Sequence, residues 1–188
     1  AVSMLAMYDP DAEDMSPEAN LRKSIRLTAE TSTILAAFHR LRNGLEPVAP
    51  NPNLAHAANF LYMLRGTEPN EVEARCVDLI LILHADHSLN ASTFAGRVIA
   101  STLSDMHSAV TGAIGGLKGP LHGGANQRVL ETLAEIGDVS KVEGYVKQTI
   151  AQGGKIMGFG HRVYKVEDPR AVHLKEWAKS LAERTGNS

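Results

Sequence analysis

Residues 67–83 read Thr-Glu-Pro-Asn-Glu-Val-Glu-Ala-Arg-Cys-Val-Asp-Leu-Ile-Leu-Ile-Leu, and the five aliphatic residues that close the stretch, Leu79 to Leu83, fit two different folds. A short apolar run bounded by polar residues suits a buried strand as well as a turn of buried helix. Length and the upstream pattern decide. Val72, Cys76, Leu79, Ile80 and Leu83 share one broad face at helical spacing, so the run continues a helix begun near Thr67.

The rest of the chain agrees with that choice. Ser16-Pro17-Glu18 is a helix start, with a capping hydroxyl and proline in the first turn, and Gly44 supplies the stop. Between them Leu21, Ile25, Leu35, Phe38 and Leu41 recur at helical spacing. Asn53 opens a further helix through Leu54, Leu61 and Leu64 to Gly66. From Ser92 to about Leu117, Phe94, Val98, Thr102, Met106, Val110 and Ile114 are spaced by fours among Ala95, Gly96, Ala100, Ser101, Ser104, Ala109 and Gly112. Small residues let helices approach closely, so this part reads as a buried central or subunit-interface hairpin. Asn126 to Ile136, a helix opened by a capping box at Ser140 to Glu143, and one capped by Asp168-Pro169 complete the string. That last helix bears Val172, Leu174, Trp177 and Leu181. No convincing strand run or repeat appears, and the fold class is all-α.

Composition bounds the function. The 188 residues suffice for a domain with a sizeable core, 44% of them are hydrophobic and 21% charged, and the formal charge is −2. That balance argues against broad binding to nucleic acid or an anionic membrane surface and points to a small-molecule partner. The single cysteine, Cys76, allows no internal disulfide and no multi-cysteine zinc site. No apolar run has the length to span a bilayer, and Ala1 to Asp9 lacks the basic start of a signal peptide. The chain therefore reads as cytoplasmic. It opens without an initiator methionine and stops just after a helix-ending glycine, as expected of a fragment.

Three histidine-bearing stretches interrupt the helices. His84-Ala85-Asp86-His87-Ser88-Leu89-Asn90 follows the most hydrophobic helix; Gly119-Pro120-Leu121-His122-Gly123-Gly124-Ala125-Asn126 follows the small-residue hairpin; Gly154 to Lys165 sets glycines around Ile156, Met157 and Phe159 ahead of His161. Glycine and proline in the second let the backbone around His122 run close to a ligand. The third exposes backbone groups beside an imidazole and basic side chains, where an anion can bind, although it is not a P-loop. Arg170, just inside the last helix, offers a planar fork to a carboxylate. A metal reading would take His84 and His87 with Asp86 and the later histidines as ligands, but no zinc signature matches and none is assigned. The glycine-rich stretch Gly115 to Pro120 is the natural hinge, dividing residues 1–118 from residues 119–188.

HADHSLNAST (84–93), GPLHGGAN (119–126) and GFGHRVYKVEDPR (158–170), in this order and spacing, resemble the three signature stretches of the citrate synthase family. The resemblance implies a multihelical dimer in which a large domain, here residues 1–118, and a small mobile domain, here the start of one at 119–188, close over oxaloacetate and acetyl-CoA. It implies that His122 hydrogen-bonds the thioester oxygen as the methyl group is deprotonated, and that His161 polarises the ketone and protonates it. His87 and Arg170 correspond to oxaloacetate ligands, with Asn90 helping to shape that pocket. Ile156, Met157, Gly158, Phe159 and Gly160 resemble the adenine-binding segment for coenzyme A, and Lys165 a basic position near its phosphates. Coenzyme A enters as co-substrate, no cofactor is held permanently, and no metal is implied. Ser88 departs from the acidic residue many members carry. The family's catalytic aspartate belongs to a later stretch, which Asp168 does not match, so the chain alone is expected to be nearly inactive. The alternatives are 2-methylcitrate synthase, since propionyl-CoA differs by one methylene, a catalytically silent scaffold, and a metal-dependent hydrolase.

Overall fold

The computed structural model describes residues 1–85, 88–160 and 165–186, and among these every regular element is helical. In chain order they are α1 (Val2–Leu5), α2 (Pro17–Arg42), α3 (His56–Arg65), α4 (Glu71–Ala85), α5 (Ala91–Ala100), α6 (Met106–Leu117), α7 (Gly124–Ile136), α8 (Val142–Ala151) and α9 (Pro169–Thr185). Leu79 to Leu83 lie within α4, so the helical reading of that run holds.

Local chemistry sets most boundaries. The Ser16 hydroxyl accepts the Ala19 N–H with Pro17 in the first turn, and Asp105 and Asp168 cap α6 and α9 in the same manner. Four expected starts moved, among them that of α4 from near Thr67 to Glu71 and that of α7 from Asn126 to Gly124. Asn53 lies in a turn held by the Asn51 side chain, and α3 begins only at His56. The capping box at Ser140 does not form, because Asp138 takes both the N–H and the hydroxyl of Ser140 and winds Val139–Lys141 into a 3-10 turn ahead of α8.

Helices α5 and α6 pack side by side as the small residues imply. A Cβ on Gly96 would stand 3.3 Å from Ala113 Cβ, and one on Gly112 would run into the Ile99 side chain. Helix α2 lies on α3, α3 on α4, α4 on α9, and α1 on α6. The apolar residues at helical spacing in α2 are not its core: Leu21, Ile25, Leu35, Phe38 and Leu41 are all more than half exposed, whereas Ala19, Lys23, Leu27 and Ala36 are buried. The 13,436 Å² of exposed surface thus includes a large apolar share. None of the residues of α4 is fully buried either.

A polar knot ties the start of the chain to α2 and α6. Arg26 bonds both Asp9 and Asp11, Arg22 bonds Asp11, and the wholly buried Lys23 ammonium donates to the carbonyls of Ala12 and Asp14. Buried His107 stands 3.4 Å from Asp9 and 3.6 Å from Asp105. An ammonium out of water is tolerated because each proton it directs at a carbonyl replaces a hydrogen bond to solvent.

Candidate active site

His122 is presented by a turn wound against the end of α6. Its N–H donates to the Gly119 carbonyl at 3.0 Å, the Gly124 N–H donates to the same oxygen at 3.1 Å, and the His122 carbonyl accepts the Ala125 N–H as α7 begins. Gly123 and Gly124 serve this turn differently from the sequence expectation. Gly123 has φ −61° and ψ −27°, ordinary right-handed values, and Gly124 is not among the positive-φ residues. What they supply is room. A Cβ on Gly123 would sit 2.7 Å from the Leu117 carbonyl oxygen, and one on Gly124 would sit 2.9 Å from that of Gly119.

The half-buried imidazole reaches the N-terminus of α5. His122 Nε2 is 2.8 Å from Ser92 Oγ and accepts the Ser92 backbone N–H at 3.4 Å. That N–H belongs to the first turn of α5, where amides have no partner within the helix, so the ring partly caps α5.

Asn90 is the N-cap of α5. Its Oδ1 accepts the Thr93 N–H at 2.9 Å and the Ser92 hydroxyl at 2.8 Å. Two of the three histidine stretches therefore meet: the end of HADHSLNAST holds the ring offered by GPLHGGAN. Ser92 was not singled out in the sequence, although its place two residues after a capping asparagine marks it as a first-turn hydroxyl. Ser88 has φ 57°, a left-handed value uncommon for a side chain other than glycine or asparagine.

The third stretch reaches the second through α7. A Cβ on Gly158 would lie 3.1 Å from Val129 of α7, the helix that the His122 turn opens. Gly158 and Gly160 have φ 88° and 85°, so here the glycines do supply left-handed backbone. Ile156 and Met157 are half-buried, while Phe159 is 82% exposed and Lys165 is exposed. Arg170 pairs with Asp168, Nε 3.0 Å from Oδ1 and Nη2 2.7 Å from Oδ2, a partner the sequence suggested only as a helix cap. His87 and His161 lie outside the described residues, as does Asp86. His84 Nδ1 hydrogen-bonds the Ile80 carbonyl at 2.7 Å within α4. Among the described residues no three His, Cys, Asp or Glu side chains group to hold a metal.

A family profile described as "Citrate synthase, C-terminal domain" matches residues 1–188. The chain is 55% identical to citrate synthase 2 of Bacillus subtilis and 52% identical to citrate synthase of Deinococcus radiodurans, in each case over all of this chain and 50% of the relative. Among solved structures, a citrate synthase of Thermoplasma acidophilum in ternary complex with carboxymethyl coenzyme A and oxaloacetate superposes with a TM-score of 0.90 at 35% identity, covering 97% of this chain and 48% of that one. The chain spans about half the length of the curated relatives it matches.

Proposed function

The chain belongs to the citrate synthase family, and from that premise we propose that the protein carrying it condenses acetyl-CoA with oxaloacetate and hydrolyses the citryl thioester to citrate and coenzyme A. The observation that carries the reading is the His122–Ser92 contact, 2.8 Å from Nε2 to Oγ with the Ser92 N–H on the same nitrogen. The contact fixes the imidazole in place, so that the ring can direct a hydrogen bond at a developing oxyanion.

The reaction assigns a role to each group. A carboxylate base takes a proton from the methyl carbon of acetyl-CoA, and the electron pair moves onto the thioester oxygen. His122 donates a hydrogen bond to that oxygen and stabilises the enol or enolate. The nucleophilic carbon then bonds to the ketone carbon of oxaloacetate, whose oxygen receives a proton from His161. Water finally cleaves the citryl thioester and releases coenzyme A. His87 and Arg170 hold oxaloacetate, with Asn90 at the edge of that pocket. Ile156 to Gly160 and Lys165 receive coenzyme A, which is consumed and released rather than held as a resident cofactor. Residues 1–118 act as part of a large domain and 119–188 as part of a mobile small one, in a cytoplasmic homodimer. The proton-abstracting aspartate belongs by resemblance to a stretch later than Arg170, and Asp168 does not match it.

Thiol release in the presence of oxaloacetate, from acetyl-CoA and from propionyl-CoA, tests the assignment on the whole protein and its His122→Ala variant. Faster turnover of acetyl-CoA, reduced about 10²–10³-fold in the variant, is the expected result. Faster turnover of propionyl-CoA moves the reading to 2-methylcitrate synthase. A folded protein that releases thiol from neither substrate is a silent relative.

A further inference from the structure

Ser92 Oγ stands 2.8 Å from both Asn90 Oδ1, which takes its one proton, and His122 Nε2, which lies on its other side. Asn90 is fixed on its other side, because the same Oδ1 accepts the Thr93 N–H at 2.9 Å and caps α5. Its carbonyl oxygen is thereby committed to protein donors. A serine in the first turn of a helix has other rotamers and can turn its hydroxyl toward nearby backbone groups instead. The Asn90 contact selects the rotamer that faces the imidazole. Gly116 completes the seat: a Cβ there would stand 3.4 Å from Ser92 Cα, so α6 supports this residue from behind.

We propose that Asn90 is a positioning residue for His122, acting through the Ser92 hydroxyl, rather than a direct ligand of oxaloacetate. The inference rests on the synthase reading for its effect on turnover. Its geometric content, that Asn90 orients Ser92 and Ser92 orients the ring, stands apart from that reading.

Three variants of the whole protein separate the possibilities. Asn90→Asp keeps the acceptor for both Thr93 and Ser92. Asn90→Ser still caps α5, being among the preferred N-cap residues, but is one atom too short to hold Ser92 as well. Asn90→Ala does neither. The expected result is kcat within about 3-fold of the parent for Asn90→Asp and reduced roughly 10-fold or more for Asn90→Ser and Asn90→Ala, with KM for oxaloacetate unchanged within about 2-fold throughout. Asn90→Ser keeps the parent's melting temperature while losing turnover, a split that a cap alone would not produce. The proposal is overturned if Asn90→Ser restores turnover together with stability, since the residue would then be only a cap. It is equally overturned if KM for oxaloacetate rises 10-fold or more at constant kcat, and most in Asn90→Asp, whose charge would repel a dianion. Should the parent release no thiol at all, the synthase reading fails and the ¹⁵N resonance of His122 Nε2 decides: a shift in Asn90→Ser supports the positioning role, and an unchanged resonance overturns it.

Discussion

Arg170 closes its guanidinium on Asp168, two residues earlier in the chain, with Nε 3.0 Å from Oδ1 and Nη2 2.7 Å from Oδ2, while that Oδ1 also accepts the Arg170 backbone N–H at 2.9 Å. Asp168 is thus at once the N-cap of α9 and the anchor of the arginine proposed to clamp a substrate carboxylate. A planar guanidinium has a second edge, formed by Nη1 and Nη2, which can meet another carboxylate while the first is held. Asp168→Asn separates the two duties, because asparagine caps as well as aspartate but carries no charge. The melting temperature should hardly change, whereas KM for oxaloacetate should rise about 3- to 10-fold as the unpinned side chain loses its ordering. A fall in KM would mean that Asp168 competes with the ligand instead of aligning the arginine.

The polar knot beneath α2 predicts loss of stability in acid. Hydrogen bonds from Arg22 and then Arg26 hold the Asp11 carboxyl well below the usual carboxylate range. Burial pushes Asp9 upward, but the Asp11 N–H and Arg26 outweigh it, so its net displacement is also downward. When the folded state depresses a carboxylate, the unfolded chain takes up the proton first as pH falls. The contribution is therefore fully present above the ordinary value near about 4 and disappears as pH drops through the lower folded value. Melting temperature measured from pH 7 down to pH 2.5 should fall more steeply below pH 4 in the parent than in Asp11→Asn. Parallel curves for the two proteins would remove Asp11 from the account.

Helix identity was legible in the sequence because it depends on local terms. The Leu79–Leu83 run is helical, the Ser16 and Asp168 caps form as their side-chain chemistry requires, and the small residues of α5 and α6 meet at close range. What local patterning does not contain is the identity of the covering surface. The periodic leucines of α2 are exposed while Lys23, a residue that periodicity marks as polar, is fully buried, because the turn at Asp9–Asp14 brings carbonyls and carboxylates to that side of the helix. In the candidate site, the residues that offer ligand chemistry stood out by type and motif. Their partners did not: Ser92 and Asp168 are ordinary hydroxyl and capping residues until the chain places them against His122 and Arg170.

Cys76 provides a clean probe of the α4–α9 contact, being the sole cysteine of these 188 residues. Its Sγ lies 3.9 Å from the Trp177 carbonyl of α9, and burial, followed by the neighbouring charge of Glu73, pushes the thiol upward from its ordinary value. The thiolate is the reactive species, so both effects slow alkylation. At pH 8 iodoacetamide should modify the native protein at least about 10-fold more slowly than the protein unfolded in urea. Equal rates would show that α9 leaves α4 readily.

Two glycine substitutions with opposite expected signs test the account of the His122 turn. Gly144 lies inside α8 with nothing within 4 Å of the position a Cβ would take, so Gly144→Ala should stabilise the protein by about 0.5–1 kcal/mol through helix propensity alone. Gly123 also has helical dihedral angles, and propensity by itself would predict a similar gain. The Leu117 carbonyl oxygen, 2.7 Å from the would-be Cβ, forbids it, since backbone cannot step aside as the end of a side chain can. Gly123→Ala should cost about 1–3 kcal/mol, the range for an overpacked site, and should lower kcat as His122 is displaced from Ser92. Urea unfolding of both variants beside the parent reads the two signs directly. Equal stabilisation by both alanines would show that Gly123 is an ordinary helical position, and the tight fold-back of the turn onto α6 would no longer explain how His122 is presented.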